Sequence, residues 1–558
     1  MKTLSFACVI SLLLGCGATI EQDRSESLRQ QVAAEPNVAQ RRASAHKLQA
    51  HMAFLADDAL LGREPGTPGY DAAANYVAEQ FRQLGLLPAG AQGSYFQNVQ
   101  LRRSIRIADQ LVLSATDQNG RPLALEREVD YAVPGSLRSQ MDTVSAPVVF
   151  VGYGLVAPEL DRDDYAEVDV RGKIVAVLSG TPSGIQSEER AFYGSRKAQE
   201  ASSRGAIGMI SLATPVSEGV YPFARLIAEG ALDQARMGWL DVRGNVYSRA
   251  PNLRVSAVFS LSGSKKLFAQ APLAWEQLLE AAAEEGGVTP RFQLPIELRI
   301  RQASVFDQIE SANVLGMIEG ADAILKQEVL VLSAHLDHLG VNAKASDDQI
   351  NNGALDNAAG VATMIEAARS LMAGPKPRRS ILFFANTAEE RGMLGAQYFA
   401  KNPTLDIARI VANINLDMPL LTYAFEDVIV YGGSRSTLRA SIEAAAAQMS
   451  VTIGEDPFPE QGLFTRSDHF RFVEEGIPAV MLATGMANGG QAAWAEHFAK
   501  RYHRPSDDMN NSLDFDAAAR FAELNTRIAL MVANETQRPL WHHGDFFARQ
   551  FNGPMLQQ

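Results

Sequence analysis

Apolar runs that alternate with helical patterns dominate the chain from residue 329 to residue 484. Runs such as "VLVLSA", "ILFFAN" and "IVANIN" hold few polar residues, so both faces of each strand are expected to be buried. Segments with apolar residues at helical spacing lie between them, for example at 358–372 and 437–449. This alternation predicts an α/β fold with a mixed, mostly parallel sheet sandwiched by helices.

Side chains with nitrogen or oxygen donors follow the strands of this predicted sheet. Ligands gather beyond the carboxyl ends of parallel strands, so residues directly after each strand are the first candidates for a site. Each donor taken singly has an ordinary explanation, such as a helix cap or a solvated loop, but a coincidence of this kind would have to occur at five separate places in the chain. Histidine and carboxylate are ligand types that zinc accepts. The candidates are His335, Asp337, His338, Asp356, Glu389, Glu390, Asp417 and His503.

The amino-terminal stretch "MKTLSFACVISLLLGCGAT" is typical of an export signal, with a lysine followed by an apolar run too short to span a bilayer. Leu-Leu-Gly-Cys at 13–16 resembles a bacterial lipobox, so we expect residues 1–16 to be a lipoprotein signal and Cys16 to be lipidated. An ordinary signal peptide that is cut elsewhere is the alternative. We expect a protein of the bacterial envelope, held to the outer membrane by its lipid alone and facing the periplasm.

Composition limits the partners and the domain number. The net charge of −13 and the absence of a long Lys/Arg cluster argue against nucleic acid as a partner. A chain of 558 residues predicts more than one domain. Residues 17–44 are polar and lack periodicity, which predicts a tether.

Residues 129–294 differ from the rest of the chain because they contain short β-rich runs, such as "APVVFVGYGL" and "GKIVAVLSG". We expect a separate, smaller module there. It would interrupt one discontinuous domain formed by residues 45–128 and 295–540, and a tail at 541–558 would follow.

Five stretches, in this order, resemble the co-catalytic di-zinc exopeptidases of metallopeptidase family 28, clan MH. They are "SAHLDHLG", "GALDNAAG", "NTAEERGMLG", "NINLDM" and "RYHRPSDD". The resemblance implies the phosphorylase/hydrolase-like fold of zinc exopeptidases, two zinc ions per chain, and hydrolysis of amino-terminal residues from peptides. It also identifies residues 129–294 as an inserted protease-associated domain, which either shapes the cleft or is a passive insertion.

The same resemblance assigns the metal ligands. Asp356 would bridge the two zinc ions, and Glu389 would be the general base acting on a water that bridges them. The remaining ligands would be His335 and Asp417 at one ion, and Glu390 and His503 at the other.

Roles or positions are also expected for residues that would not bind metal directly. Asp337 would accept the second N–H of the His335 imidazole and fix its tautomer. His338 has no implied role and is taken as structural. Asp468 and His469 are expected near the site, and a cis peptide bond after Asp356 is plausible for the family.

Other functions remain open at this point. The same fold carries exopeptidases of carboxy-terminal or dipeptide specificity and glutaminyl cyclases, which generally work with one zinc ion. A receptor-like binding lipoprotein or an envelope scaffold would need no catalysis. The number of bound metals and activity after zinc addition would distinguish these alternatives.

Overall fold

The computed structural model describes residues 38–284, 286–342, 345 and 347–557. Cys16 and the expected signal peptide lie outside these residues, as does the expected tether up to residue 37. Among the described residues, every helix is too short or too polar to cross a bilayer.

Two compact units make up the described chain. The main unit comprises the described residues up to Gln97 with Ala312–Pro457 and the residues from Ser467 onward. The inserted unit comprises Asn98–Ser311 and Phe458–Arg466.

The α-helices are numbered along the chain. They are α1 (Val38–Leu55), α2 (Pro68–Leu84), α3 (Ser187–Ser203), α4 (Pro215–Val220), α5 (Phe223–Ala228), α6 (Leu261–Leu267), α7 (Trp275–Ala283), α8 (Ala359–Ala373), α9 (Leu394–Lys401), α10 (Leu438–Gln448), α11 (His469–Val473), α12 (Gly490–Lys500), α13 (Phe515–Asn534) and α14 (Phe546–Phe551).

The strands are numbered in the same way. They are β1 (Leu87–Pro88), β2 (Phe96–Arg106), β3 (Val112–Asp117), β4 (Tyr131–Ala132), β5 (Met141–Phe150), β6 (Val156–Ala157), β7 (Arg162–Asp163), β8 (Ile174–Leu178), β9 (Gly208–Leu212), β10 (Arg236–Trp239), β11 (Val255–Phe259), β12 (Phe292–Ile318), β13 (Val329–His335), β14 (Gly340–Val341), β15 (Ile350–Asn351), β16 (Ser380–Asn386), β17 (Ile410–Leu416), β18 (Asp427–Tyr431), β19 (Thr452–Gly454) and β20 (Ala479–Thr484).

The main unit is built on a mixed sheet with the strand order β19-β18-β20-β17-β13-β16-β12. The neighbours β20, β17, β13 and β16 are parallel, whereas β18 against β20 and β12 against β16 are antiparallel. The mixed, mostly parallel α/β sheet predicted from the sequence is confirmed.

The central strands are buried on both faces, which explains their continuous apolar sequences. Every residue of β13, β16 and β17 is buried. Helix α13 packs against α8, α1 and α10, and α9 packs against α11. The boundaries of α8 and α10 differ by one residue at each end from the ranges 358–372 and 437–449 expected from the sequence.

Helix α2 shows how local sequence sets its ends. The Thr67 side chain accepts a hydrogen bond from the Tyr70 N–H, and Pro68 occupies the first turn, where its missing N–H costs nothing. Gly85 ends the helix in a left-handed conformation with φ of 78°.

The inserted unit has its own sheet and core. Strands β5, β8, β9 and β11 are parallel, and antiparallel pairs with β12 and β4 flank them. A buried cluster that includes Val149, Val175, Val177 and Ala201 fills the space between β5, β8 and α3.

The division between the units falls outside the boundaries expected at 129 and 294. The inserted unit begins at Asn98 and continues to Ser311. Strands β2 and β3, which lie before residue 129, belong to it because they pair with β10 and β12. Strand β12 is 27 residues long and runs past residue 294 without a break.

The expected tail at 541–558 is instead part of the main unit. Trp541 is fully buried, and its indole Nε1–H donates to the Gly476 carbonyl at 2.8 Å. Helix α14 buries Phe546 and Phe547, and the ring of Phe547 packs against Phe470. Aromatic burial therefore holds the carboxyl terminus in place.

Candidate metal centre

The carboxyl ends of β13, β16 and β17 bring the candidate ligands together. His335 is the last residue of β13 and pairs in register with Asn386, the last residue of β16. Glu389 and Glu390 follow three and four residues after Asn386, and Asp417 directly follows β17. Parallel strands end at one edge of the sheet, so these side chains converge there.

The first ligand group surrounds His335. Its Nε2 lies 3.2 Å from Asp356 Oδ1 and 3.1 Å from Asp417 Oδ1. Its Nδ1–H donates to the backbone carbonyl of Asp337 at 3.1 Å, which leaves the Nε2 lone pair directed at the two carboxylates.

The second ligand group surrounds Glu390. His503 Nε2 lies 3.2 Å from Glu390 Oε2 and 3.4 Å from Asp356 Oδ2. His338 Nδ1 lies 2.7 Å from Glu390 Oε1. Asp356 thus presents one carboxylate oxygen to each group.

The donor set fits a pair of cations. The imidazole of His335 has committed its Nδ1 proton to a carbonyl, so a neutral ring has none to give to Asp356 or Asp417. Burial alone would lower the pKa of His335, but Asp417 and Asp356 outweigh burial and raise that pKa well above its usual value. These carboxylates therefore attract positive charge strongly, and nitrogen and oxygen donors in this number suit zinc.

A family comparison identifies the segment that carries both groups. Residues 313–529 match the model described as Peptidase family M28. Residues 313–529 belong to peptidase family M28. This M28 domain supports a metallo-exopeptidase, and all five expected zinc ligands lie within it.

Individual proteins are also similar to this chain. "Probable lipoprotein aminopeptidase LpqL" of Mycobacterium tuberculosis is 23% identical over 537 residues, which cover 91% of this chain and 89% of that protein. A vacuolar membrane protease of Candida dubliniensis is 34% identical over 180 residues, only 18% of its length. The solved aminopeptidase from Aneurinibacillus sp. strain AM-1 shares the fold, with a TM-score of 0.50 and 19% identity over 88% of this chain and 95% of that one.

Asp337 plays a different part in the M28 domain from the one expected. Its carboxylate Oδ1 lies 4.0 Å from His335 Nδ1, too far for a hydrogen bond, and its backbone carbonyl accepts that N–H instead. The two carboxylate oxygens accept the backbone N–H groups of Glu389 at 3.0 Å and Glu390 at 3.3 Å. The expectation for the Asp337 side chain was therefore wrong, because the chain after β16 turns its amides toward it.

His338 is a residue whose importance the sequence did not reveal. The imidazole is fully buried, and its Nδ1–H donates to Glu390 in the second ligand group. Its Nε2 is buried and has no hydrogen-bond partner among the described residues. With Asp356 and Glu390, His338 forms a group whose ligand atoms all lie within 4.8 Å of one another.

Asn357 and Ser467 connect the ligand segments of the M28 domain. The peptide bond between Asp356 and Asn357 is cis, as the family resemblance implies. The Asn357 side chain donates to the Leu416 carbonyl at 2.9 Å and accepts from the Met418 N–H at 3.1 Å, on either side of Asp417. Ser467 donates its hydroxyl to Asp417 Oδ2.

Asp468 lies close to this network, as expected. It is fully buried and accepts a hydrogen bond of 2.6 Å from Asn386 at the end of β16. Burial raises the pKa of Asp468 to about 7. The neighbouring His469 is the first residue of α11 and is also fully buried.

Proposed function

We propose that this protein is a zinc-dependent aminopeptidase that removes amino-terminal residues from peptides. One observation carries the proposal: Asp356 places its two carboxylate oxygens within 3.2 Å and 3.4 Å of two different imidazoles, His335 and His503. A carboxylate shared by two ligand groups can hold a pair of metal ions close together, as two-metal hydrolysis needs.

The residues of each group divide between two zinc ions. His335 and Asp417 would hold one ion, Glu390 and His503 would hold the other, and Asp356 would bind both. When bound, zinc supplies Lewis acidity that polarises the peptide carbonyl and stabilises the charge that develops on its oxygen.

Glu389 is proposed as the general base. Burial raises the pKa of Glu389 well above its usual value, which favours a carboxylate able to hold a proton during the reaction. It takes a proton from the attacking water and returns it to the amine as the C–N bond breaks. Asp337 fixes the backbone of Glu389 and Glu390 through their N–H groups, so the base and the neighbouring ligand keep their relative positions.

We also propose that the chain is anchored by lipid at Cys16 in the bacterial envelope, at an outer membrane, and that the inserted unit is a protease-associated domain. The similarity to a lipoprotein aminopeptidase over 91% of the chain supports the anchor. Replacing Cys16 by Ser should move the protein from the membrane fraction to the soluble fraction of cells.

The function can be tested with a soluble form that begins at Gly17 and is loaded with zinc. It is incubated with a peptide that has an unblocked amino end and with the amino-terminally acetylated form of that peptide, and products are followed by mass spectrometry. Stepwise loss from the free amino end, with the acetylated peptide intact, is the expected result.

Each other outcome points to a named alternative. Loss from the carboxyl end would indicate a carboxy-terminal exopeptidase. No loss from either peptide would indicate a cyclase or a binding protein, and a count near one zinc per chain would favour the cyclase. The Glu389→Gln variant is the matched inactive control.

A further inference from the structure

Arg63 is a buried cation that the proposed reaction does not use. It ends the 3₁₀ turn Asp58–Arg63 and is 1% exposed. Its guanidinium donates to backbone carbonyls and, among the described residues, to no carboxylate. The acceptors are the carbonyls of Leu55, Leu336, Asn352 and Gly353.

These carbonyls belong to segments that carry metal ligands. Leu336 directly follows His335, and Arg63 Nε donates to its carbonyl at 2.9 Å. Asn352 and Gly353 precede Asp356, and their carbonyls accept at 2.6 Å and 3.1 Å. One planar guanidinium therefore fixes the spacing between two ligand-bearing segments.

Asp507 holds the other side of the segment before Asp356. Its carboxylate is fully buried and accepts the N–H of Leu355 at 3.0 Å and the N–H of Asp356 at 3.0 Å. Its backbone carbonyl accepts the N–H of Ala354 at 3.0 Å. Asp507 lies four residues after His503, so it also ties down the loop that supplies this ligand.

We propose that Arg63 and Asp507 together form a clamp that positions the bridging carboxylate of Asp356 for metal binding. Arg63 donates to the carbonyls of residues 352 and 353, and Asp507 accepts the backbone N–H groups of residues 354–356. Every residue from 352 to 356 therefore has a hydrogen bond to one of the two side chains or to the Asp507 carbonyl. The clamp is a pair of positioning residues, and the inference rests on the proposed zinc centre. Groups that orient metal ligands in this way typically contribute about 10–100-fold to metal affinity.

The test compares the affinity of folded proteins for zinc, measured by competition with a chelator, in three variants. Arg63→Met removes the charge and all donors. Asp507→Asn keeps one acceptor but turns an amide toward backbone N–H groups. Both should weaken zinc binding by about 10–100-fold. Arg63→Lys keeps the charge but lacks the planar fork, so it should fall between wild type and Arg63→Met.

Two buried groups outside the centre serve as matched controls. Arg379 directly precedes β16, is fully buried, and donates to the Glu328 carboxylate and to the Val532 carbonyl of α13. Asp130 in the inserted unit is fully buried and accepts from Ser262 and Lys266. Arg379→Met and Asp130→Asn should lower the melting temperature but leave zinc affinity within about 3-fold of wild type, because neither touches a ligand segment.

A second readout reports the ligand geometry without catalysis. With Co²⁺ in place of zinc, the visible absorption of Arg63→Met and Asp507→Asn should change in intensity, whereas the spectra of the controls should match wild type. Excess zinc should restore activity in the clamp variants, since their defect is one of affinity.

The outcomes separate this inference from the proposed function. Wild-type protein that binds no zinc would overturn the zinc centre itself. Wild type that binds two ions, together with clamp variants that fold and bind zinc equally tightly, would overturn the clamp alone. If Arg63→Met does not fold, Arg63→Lys and Asp507→Asn decide the question.

Discussion

Glu389 and Glu390 are neighbours in the chain but lie in different electrostatic surroundings. Burial and Asp356 would raise the pKa of Glu390, but His338 and His503 outweigh them and lower it to about 2. At Glu389 burial outweighs the attraction of the His335 imidazole and raises the pKa well above its usual value. Two adjacent carboxylates can therefore serve as a ligand and as a base.

Glutamine substitutions should separate these two roles. Glu389→Gln should keep the metal content of wild type and lose about 10²–10⁴-fold in kcat, the usual contribution of a general base. Glu390→Gln should instead weaken metal binding, because a neutral amide replaces an anionic ligand. Metal analysis of the dialysed variants beside steady-state kinetics checks this, and equal metal content in both would contradict the assignment.

Substitutions of His338 should reveal whether its Nδ1–H orients Glu390. Asparagine places an N–H near the position of Nδ1, so His338→Asn should keep metal affinity within a few-fold of wild type. His338→Leu, which fills the space without a donor, should weaken it by about 10–100-fold. Chelator competition measures both, and equal losses would argue that the ring binds metal directly.

Sequence alone could indicate which residues gather at the centre, but not which atoms they use. His335, Glu390 and Asp417 lie at or just after the ends of apolar strands, which are visible in the sequence. Asp356 instead precedes helix α8 and His503 follows helix α12, so the family resemblance was needed to identify them. The partner of the Asp337 carboxylate depends on the turn after β16, where Ala388 has φ of 55°. No pattern in the sequence marks a turn of this kind, and the same limit hid the contact between His338 and Glu390.

At the scale of elements, the apolar strands and amphipathic helices of the main unit could be predicted, whereas strand β12 could not. Its middle, "SVFDQIESAN", is polar and lacks the signature of a buried strand. The packing of the carboxyl terminus against the main unit is visible in the sequence: "WHHGDFFARQF" is rich in aromatic residues, which are costly to leave exposed.

Helix α1 should contribute to acid sensitivity through His51. This ring packs between α1 and α2, with Nδ1 2.7 Å from the Tyr76 hydroxyl, and burial lowers the pKa of His51 to about 4. The unfolded value is about 6.5, so the stability that the neutral ring contributes is complete above about pH 6.5 and is lost as the pH falls toward 4.

Calorimetry between pH 7 and pH 4.5 can measure this contribution. The loss should be up to about 3 kcal/mol. His51→Asn should flatten the pH dependence of the main-unit transition, and His46→Gln, on the exposed face of the same helix, should not. An unchanged slope in His51→Asn would contradict the prediction.

For the whole molecule, the concentration of buried carboxylates at one edge of the main unit should make its stability depend on metal. A carboxylate oxygen of Asp356 lies within 4.8 Å of one of Asp417 in the first group, and within 4.8 Å of one of Glu390 in the second. Zinc at about 1,000 times its Kd would add about 4 kcal/mol per site. Chelation should therefore lower the main-unit melting temperature by at least about 5 °C.

The inserted unit supplies an internal control for this measurement. It has its own core, and among the described residues neither of its segments contains a member of the candidate metal groups. The melting temperature of the inserted unit should not change when metal is removed. An equal change in the melting temperatures of both units would show that the stabilisation is not specific to the metal centre.

The hydrogen bonds from Arg63 to a segment far along the chain limit how far the protein can be shortened without loss of function. The family-matched segment, residues 313–529, contains every expected zinc ligand and Asp507, but the guanidinium that holds Asn352 and Gly353 comes from a turn about 250 residues upstream of it. A recombinant fragment cut to that segment would keep the ligands and lose their support. The amino-terminal helices and the turn between them are thus part of the enzyme, so natural variation at residue 63 should be as constrained as variation at a ligand.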